Sequence, residues 1–324
     1  MRKDQLPIPF YSHGITMAPM AGVTDSAFRR ICLRLGATCL VTEMVTAAGL
    51  SRKSVKTKKM LRYHPDEQPL GVQLFGAKPD DFARASDLVT PLGFKFIDIN
   101  AGCPVKRVLR SGSGSSLLGD IPRLLEIVRV TKENTDLPVT VKIRLGLTRE
   151  EPVPDSIGEL VADAGACAIA VHGRFRTDFF SGDVDKEGIR RIAELSPVPV
   201  IANGDSTSVE AALRLRDETG STGLLIGRGA WGNPWIFRGI AGGNPHPEPG
   251  ELHTVIMKQL SMMMELIPEP QVFHIFRGHL VQYFRGFHGA ADFRRRAVGT
   301  ESYKEVDIIA GEADIAMHTS LEDV

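Results

Sequence analysis

The side chain best suited to chemistry in this sequence is Cys103, in a short loop rich in glycine and proline. Such a loop keeps a thiol near the surface, and an unperturbed thiol pKa of about 8.5 leaves the group mostly protonated at neutral pH. A protonated thiol suits a general acid, whereas a nucleophilic thiol requires a neighbouring base that lowers its pKa. The remaining cysteines fall on apolar faces and are interpreted as core residues: Cys32, Cys39 and Cys167.

Two loops, Asn203-Gly204-Asp205 and Gly227-Arg228-Gly229, have the composition of an anion site. Glycine lets backbone N–H groups approach an anion, a following helix N-terminus adds a favourable dipole, and arginine supplies bidentate donors. The pair predicts a phosphorylated ligand, which could be a flavin, a sugar phosphate or pyridoxal phosphate. The alternative interpretation is that these glycines only turn the chain at strand ends.

Two further polar residues end apolar segments. Lys142 lies in the run Val139 to Ile143, and His172 ends the next such run. An inward lysine beneath a flavin can stabilise the negative charge of the reduced ring, or it can form a Schiff base. It could also face the surface, because strand side chains alternate. His172 alone is as consistent with a structural hydrogen bond as with a functional role.

All these residues follow short apolar runs that predict strands, and the runs alternate with helical spacing. The predicted strands are Ile15 to Ala18, Thr38 to Glu43, Leu70 to Phe75, Phe94 to Ile99, Val139 to Ile143, Ala168 to Val171, Val198 to Ala202 and Gly223 to Ile226. The predicted helices between them are Asp25 to Leu35, Pro79 to Leu92, Pro122 to Asn134, Ile157 to Ala164, Lys186 to Leu195 and Ser208 to Glu218.

About eight βα units predict an α/β fold, a (β/α)8 TIM barrel, rather than a doubly wound open sheet. The unusual polar residues all come directly after strands, and in a barrel these loops meet at one face. A linker rich in glycine and proline, Gly239 to Gly250, ends the pattern. Helices are predicted beyond it at Leu252 to Leu266 and Val272 to Phe287. We therefore predict a barrel domain over residues 1–240 and a small C-terminal helical domain over 241–324.

Composition places the chain among folded cytoplasmic proteins. Its 324 residues are 43% apolar, and its four cysteines form no CxxC pair that would indicate a zinc site or a disulfide scaffold. The N-terminal segment has no apolar leader run, and no stretch approaches the roughly 20 apolar residues of a membrane span. We expect neither a metal, a membrane nor an obligate protein partner.

The charges balance at 39 basic and 39 acidic side chains, which alone argues against a nucleic-acid partner. Their distribution is uneven, however, and a neutral total can hide a basic face. The alternative is a set of separate solvated helix faces. The basic clusters are Arg52, Lys53, Lys56, Lys58, Lys59 and Arg62, then Lys106, Arg107 and Arg110, then Arg294, Arg295 and Arg296, and the tail after Arg296 is mostly acidic.

A series of short motifs carries a resemblance to a known family. Their order and spacing are similar to the tRNA-dihydrouridine synthases, and most closely to the bacterial B-type branch, from about Ile15 to Phe237. The motifs are MAPMAGVTDSAFRRI, LGVQLFG, DINAGCPVKRV, SGSGSSLL, VKIRLG, VHGRFRTDFFSGD, PVIANGD and LIGRGAWGNPWIFR.

The resemblance implies a flavoprotein that reduces uridines in tRNA to 5,6-dihydrouridine. NADPH reduces the flavin, hydride passes to uracil C6, Cys103 protonates C5, and Asn100 contacts the target uracil. No GxGxxG motif opens a βα unit, so NADPH rests on the resemblance alone. The FMN-binding residues implied are Pro19, Met20, Ala21, Gln73, Lys142, His172, Asn203, Gly204, Asp205, Gly227 and Arg228.

RNA must present a flipped base to a barrel mouth, because a stacked base cannot enter it. We expect five basic residues to flank the mouth and hold phosphates: Arg144, Arg174, Arg176, Lys106 and Arg107. The C-terminal segment Phe276 to Tyr283 departs from the family's pattern, with Gly278 where lysine is usual and Gln282 where an aromatic is usual. Substrate choice is therefore the open part of the prediction.

Three alternatives stay open at this point. The first is a flavin barrel that acts on a free pyrimidine or another small molecule, against which the basic clusters and the helical appendage argue. The second is a dihydrouridine synthase that acts on ribosomal or another structured RNA. The third is an RNA-binding module without turnover, against which the presence of Cys103 argues.

Overall fold

A computed structural model gives the fold of residues 8–322. Residues 1–7 and 323–324 of the two predicted domains lie outside the described residues, as does half of the N-terminal segment interpreted above as lacking a leader. Within residues 8–322, no helix has the length and apolar character required to cross a membrane.

The strands form one parallel sheet that closes on itself. They run in the order β1, β9, β8, β7, β6, β5, β4, β2, and β3 also pairs with β4. A parallel bridge between Thr16 and Cys39 joins the two ends, where the Met17 N–H donates to the Cys39 carbonyl. The predicted TIM barrel is confirmed. The strands are Ile15–Met17 (β1), Leu40–Val41 (β2), Val45–Thr46 (β3), Leu70–Phe75 (β4), Ile97–Ala101 (β5), Val139–Arg144 (β6), Ala168–His172 (β7), Val200–Asn203 (β8) and Gly223–Ile226 (β9).

Helices cover the outside of the barrel. Several begin at the side chains that the sequence favours as caps: Asp25, Asp185 and Ser208 accept backbone N–H groups three residues on. The helices up to the linker are Pro9–Ser12 (α1), Ser26–Arg34 (α2), Ala47–Ser51 (α3), Val55–Lys59 (α4), Pro79–Val89 (α5), Lys106–Leu109 (α6), Ile121–Glu133 (α7), Ile157–Asp163 (α8), Lys186–Leu195 (α9), Val209–Thr219 (α10) and Ile236–Ile240 (α11).

Four more helices form a C-terminal lobe: Glu251–Met264 (α12), Gln271–Tyr283 (α13), Ala290–Ala297 (α14) and Tyr303–Glu322 (α15). Their apolar side chains share one core with Ala27 and Ile31 of α2 and with Trp235. Residues 241–250 between barrel and lobe carry no helix or strand. The Arg238 side chain holds this segment by donating to the carbonyls of Asn244 and His246.

Strand alternation decides which residues point into the barrel, since side chains two apart share a face. The Thr140 hydroxyl donates to the Asp98 carboxylate across 2.6 Å inside the barrel. Lys142 lies two residues along the same strand and therefore also points inward. The surface-facing alternative for Lys142 is wrong. His172 likewise shares the face of Ala168 and Ala170, which pack in the barrel interior.

Some predicted bounds differ from the structure. The second predicted strand, Thr38 to Glu43, is a strand only over Leu40–Val41, and pairing with β4 resumes at Val45–Thr46, beyond the predicted end. The strand predicted from Phe94 begins at Ile97. The acidic tail is largely the helix α15, whose buried residues lie at helical spacing among the acidic ones: Val306, Ile309, Ala310 and Ala313.

Candidate active site

A cavity of about 420 Å³ opens at the carboxyl ends of the strands, where a barrel builds its active site. Its size lies within the roughly 300–1,000 Å³ of small-molecule sites. Met44, Phe180 and Trp231 complete its walls together with residues predicted from the sequence. The predicted residues that line it are Pro19, Met20, Ala21, Gln73, Asn100, Cys103, Lys142, Arg144, His172, Asn203, Gly204, Asp205, Gly227 and Arg228.

A chain of buried hydrogen bonds fixes the loop that carries the thiol. The Gln73 amide nitrogen donates to Asp98 across 2.7 Å, and the Asn100 amide nitrogen donates to the Gln73 oxygen across 2.8 Å. The Asn100 oxygen in turn accepts the backbone N–H groups of Gly102 and Cys103. Because a carboxylate only accepts, Asp98 determines which way both amides point. Asp98 was not singled out from the sequence, although it lies two residues before Asn100 and thus on the same strand face.

Cys103 is half-buried at the cavity wall. Burial raises the pKa of its thiol, while a backbone N–H at Val105 and the charges of Arg144 and Lys142 act in the opposite direction. The thiol therefore stays protonated at neutral pH. Cys32 and Cys39 are fully buried, and burial likewise raises the pKa of both of their thiols.

Lys142 and His172 carry the polar floor of the cavity. The Lys142 ammonium donates to the Asn203 amide oxygen across 2.9 Å, and no other described residue accepts from it. Burial, helped by the nearby Arg144 charge, lowers the pKa of Lys142 to about 8. Burial and the adjacent cations lower the pKa of His172 well below its usual value, so its ring is neutral at pH 7. A ligand with oxygen or anionic acceptors would satisfy the free N–H groups of Lys142.

The two arginines expected to hold RNA phosphates from the strand ends are both buried. Arg144 is 1% exposed and donates to the carbonyls of Gly102 and Phe175, which ties two loops together while its side chain lines the cavity. Arg174 is 2% exposed and forms an ion pair with Asp205. The other Arg174 donors go to the His172 ring and to the carbonyls of Ser181 and Gly182.

These positions do not support the predicted phosphate contact for Arg174, because none of its donors is free. They indicate that Arg174 positions Asp205, which also accepts from Arg228 across 3.1 Å. The remaining predicted RNA contacts lie outside the cavity. Lys106 and Arg107 are exposed at the start of α6, three residues beyond Cys103, and Arg176 is half-buried on the loop after β7.

Two cavity residues that the sequence analysis missed are aromatic. Phe180 is about half exposed, and the guanidinium groups of Arg144 and Arg228 lie 5.3 and 5.1 Å from its ring centre. Trp231 lines the wall with a buried indole N–H that has no partner among the described residues. Both lie close to residues that the sequence pattern had indicated, Phe180 four residues after Arg176 and Trp231 two residues after Gly229.

The glycines of the two predicted anion loops leave room for a ligand. A Cβ at Gly227 would meet only Ala18 and Met20 at 3.7 Å, so the backbone there stays open to the cavity. A Cβ at Gly229 would lie 1.8 Å from the Ser206 carbonyl, which shows that the two loops touch. The arrangement can therefore hold an elongated anionic ligand against Lys142 and the thiol loop.

Comparison with known proteins places these residues in a family. The sequence model described as "Dihydrouridine synthase (Dus)" matches residues 16–318. The tRNA-dihydrouridine synthase B of Pseudomonas aeruginosa is 38% identical over 286 residues, covering 86% of each chain. That of Shewanella oneidensis is 36% identical over 90% of this chain and 94% of the other. A probable tRNA-dihydrouridine synthase of Rickettsia prowazekii is 33% identical over 87% and 89%.

Solved structures share the barrel at low identity. Histamine dehydrogenase from Rhizobium sp. 4-9 aligns with a TM-score of 0.51 at 15% identity. The alignment covers 76% of this chain and 48% of that longer protein. Morphinone reductase aligns with a TM-score of 0.50 at 15% identity, over 74% of this chain and 88% of the other. These two support the fold alone. From the span of the family match and the identity of the relatives, we conclude that the chain belongs to the dihydrouridine synthase family.

Proposed function

We propose that this protein reduces specific uridines in tRNA to 5,6-dihydrouridine, with FMN as bound cofactor, NADPH as reductant and Cys103 as proton donor. The observation that carries the proposal is the convergence of Cys103 with all the predicted FMN-binding residues on one cavity. Relatives named tRNA-dihydrouridine synthase B support the substrate. A tRNA substrate would place the activity in the cytoplasm.

FMN fits the residues present. The loops after β8 and β9 would hold its phosphate through Gly204, Gly227 and Arg228, and the unpartnered N–H groups of Lys142 would face acceptors of the ring. When bound and reduced, FMN supplies the hydride that is added to uracil C6. The protein's own task is to bind, to orient and to deliver one proton.

Cys103 delivers that proton to uracil C5. Its pKa is raised by burial, so the thiol holds the proton until it is needed. Asn100 fixes the backbone of the thiol loop, and one N–H of its amide has no partner among the described residues. That N–H can donate to a uracil oxygen, which would align C5 with the thiol.

The uridine enters the cavity only after it leaves its stack, at a cost of a few kcal/mol that is smaller in a loop than in a helix. The exposed cations Lys106 and Arg107 lie beside the thiol loop, where they can contact the flanking phosphates. We also propose that the division at residues 241–250 separates a catalytic barrel from a C-terminal lobe that helps to select the RNA.

The test begins with the visible absorption spectrum of the purified protein before and after anaerobic addition of NADPH. Flavin bands that bleach are expected. Unmodified tRNA transcripts are then added to the reduced protein, and the nucleosides are analysed by mass spectrometry for uridine that has gained two hydrogen atoms. Ribosomal RNA and free uridine serve as parallel substrates.

Each result decides a separate part of the proposal. A protein that stays colourless after FMN is supplied would overturn the flavin assignment. A protein whose flavin bleaches but which reduces only free uridine or ribosomal RNA would overturn the tRNA assignment. Bleaching by NADH and not by NADPH would change the reductant alone.

A further inference from the structure

The charge around the cavity mouth is unevenly distributed. Three segments at one side are residues 44–65, 68–79 and 101–119, which contain ten Lys or Arg residues and no Asp or Glu. They include the ends of β3, β4 and β5. We call the ten side chains the basic face: Arg52, Lys53, Lys56, Lys58, Lys59, Arg62, Lys78, Lys106, Arg107 and Arg110.

The three segments are neighbours in the fold. β3 pairs with β4 and β4 with β5, so the loops that follow them lie side by side. Ser51 of α3 accepts a hydrogen bond from Arg84 of α5 across 2.7 Å. A Cβ at Gly112 would touch Ala77 at 3.4 Å. Met44 and Val105, from two of these segments, line the cavity itself, so the basic face borders the mouth.

Every member of the basic face is exposed, and none forms an ion pair with another described residue. Of the acids that border these segments, Asp66 and Glu67 pair with arginines of α2 and Asp81 pairs with Arg84. The ten cations therefore lie together without an ion pair and repel one another. An anionic partner outside the fold would relieve the repulsion. The position beside the cavity fits a polymer that delivers the substrate base.

On the opposite side of the mouth, acidic residues outnumber basic ones. Its loops, residues 144–156, 172–185, 203–208 and 227–235, contain five Lys or Arg and seven Asp or Glu. Two of those five, Arg144 and Arg174, are buried. A polyanion at the mouth is therefore drawn toward one side only.

The arginine run of the C-terminal lobe is already engaged. Arg295 pairs with Asp292, and Arg296 pairs with Glu312 of α15. Arg294 donates to the Phe284 carbonyl across 2.7 Å. These three side chains are therefore less available to bind a phosphate than those of the basic face.

Resting on the proposed function, we propose that the basic face of the barrel holds the sugar-phosphate backbone of the tRNA around the target uridine, and that the Arg294 to Arg296 run contributes little to it. The RNA then approaches from the side of β3, β4 and β5, above the thiol loop. Binding through phosphate contacts is steeply salt-dependent, because each contact releases counterions.

The experiment compares two triple variants with equal loss of charge. In the first, Lys56, Lys58 and Lys59 are each changed to Gln. In the second, the matched control, Arg294, Arg295 and Arg296 are each changed to Gln. The affinity of the flavin-loaded full-length proteins for an unmodified tRNA transcript is measured across a salt series, and the bound-flavin spectrum and thermal midpoint verify that each variant is folded.

We expect the lysine triple to lose about tenfold or more in affinity, with the slope of log K against log salt falling by about 2 to 3, since each lost contact removes about 0.7 to 0.9. The arginine triple should change the affinity less than threefold, which corresponds to about 0.6 kcal/mol or less of binding free energy. A folded lysine triple that binds like the parent, or an arginine triple that loses as much, would overturn the proposal. Dihydrouridine formation by the parent protein is assayed in parallel. If the variants bind tRNA as expected but the parent forms no dihydrouridine, the proposed function is overturned and the proposed binding surface is not.

Discussion

At the scale of the residue, Cys103 has a role that the other cysteines cannot take. It lines the cavity with a thiol whose pKa is raised by burial, whereas Cys32 lies in the apolar interior. We expect Cys103→Ala to lower dihydrouridine formation by about 10²- to 10⁴-fold, the usual contribution of a positioned acid. Flavin content and flavin reduction by NADPH should stay near the parent's values, because the thiol is not needed for either.

The matched control is Cys32→Ala, which removes a buried thiol that does not line the cavity. Single-turnover assays with pre-reduced protein separate the reduction of uridine from the reduction of the flavin. If Cys103→Ala formed dihydrouridine at the parent's rate, the proton would have to come from another group.

Lys142 gives the cavity a pH dependence whose sign follows from its surroundings. Burial lowers the pKa of its ammonium to about 8, so the group is positive below that pH and loses its charge as the pH rises through it. A cation favours an anionic cofactor. We therefore expect the affinity of the flavin-free protein for FMN to fall from pH 7 to pH 9.

Titration of the flavin-free protein with FMN, followed by flavin fluorescence, measures this dependence. In Lys142→Met the affinity should be lower at pH 7 and should change little between pH 7 and pH 9. A parent protein whose affinity stays constant over that range would show that the charge of Lys142 does not contribute to FMN binding.

At the scale of the element, the loop after β9 meets the C-terminal lobe at Gly232. Its φ is +81°, and a Cβ there would lie 2.1 Å from the Gln282 carbonyl of α13. Gly242 has a similar φ of +94° but nothing within 4 Å. Alanine at either position pays about 1–2 kcal/mol for the left-handed backbone. Only Gly232→Ala must also push α13 away.

We expect Gly232→Ala to reduce the free energy of unfolding by about 1–3 kcal/mol more than Gly242→Ala does, the usual cost of overpacking. Denaturant melts of both variants provide the measurement. Equal losses would mean that the contact between Gly232 and α13 can relax without cost.

The elements also show how far the sequence could be interpreted. Strand ends and motif order placed Lys142, His172 and Asn203 near one face, because parallel strands in a barrel end together. Sequence alone left the direction of Lys142 open, and the Thr140 to Asp98 hydrogen bond decided it. The buried ion pair of Arg174 could not be predicted either, since its partner Asp205 lies 31 residues away on another strand end.

At the scale of the whole molecule, the barrel and the C-terminal lobe share apolar surface. Ala27, Ile31 and Trp235 belong to the core of the lobe, and Arg30 of α2 pairs with Glu265 across 3.2 Å. A lobe removed at the linker would leave this surface exposed to water. The linker therefore marks a change of architecture between two units that depend on each other.

This shared core predicts that the two units unfold together. The chain has two tryptophans, and both lie at the junction: Trp235 meets Tyr283 edge-on at 6.2 Å, and Trp231 meets His279 at 6.4 Å. Tryptophan fluorescence therefore reports the junction, whereas far-ultraviolet circular dichroism reports all the helices. We expect the two denaturant transitions to coincide in the parent protein, as a two-state unit requires.

Gly232→Ala should separate the two transitions, with fluorescence changing at lower denaturant, because that substitution loosens the junction while leaving the barrel strands intact. In Gly242→Ala the transitions should shift together. Two separate transitions in the parent would show that the lobe docks on an independently stable barrel, and the barrel alone could then be expressed to measure how much of the RNA affinity its basic face provides.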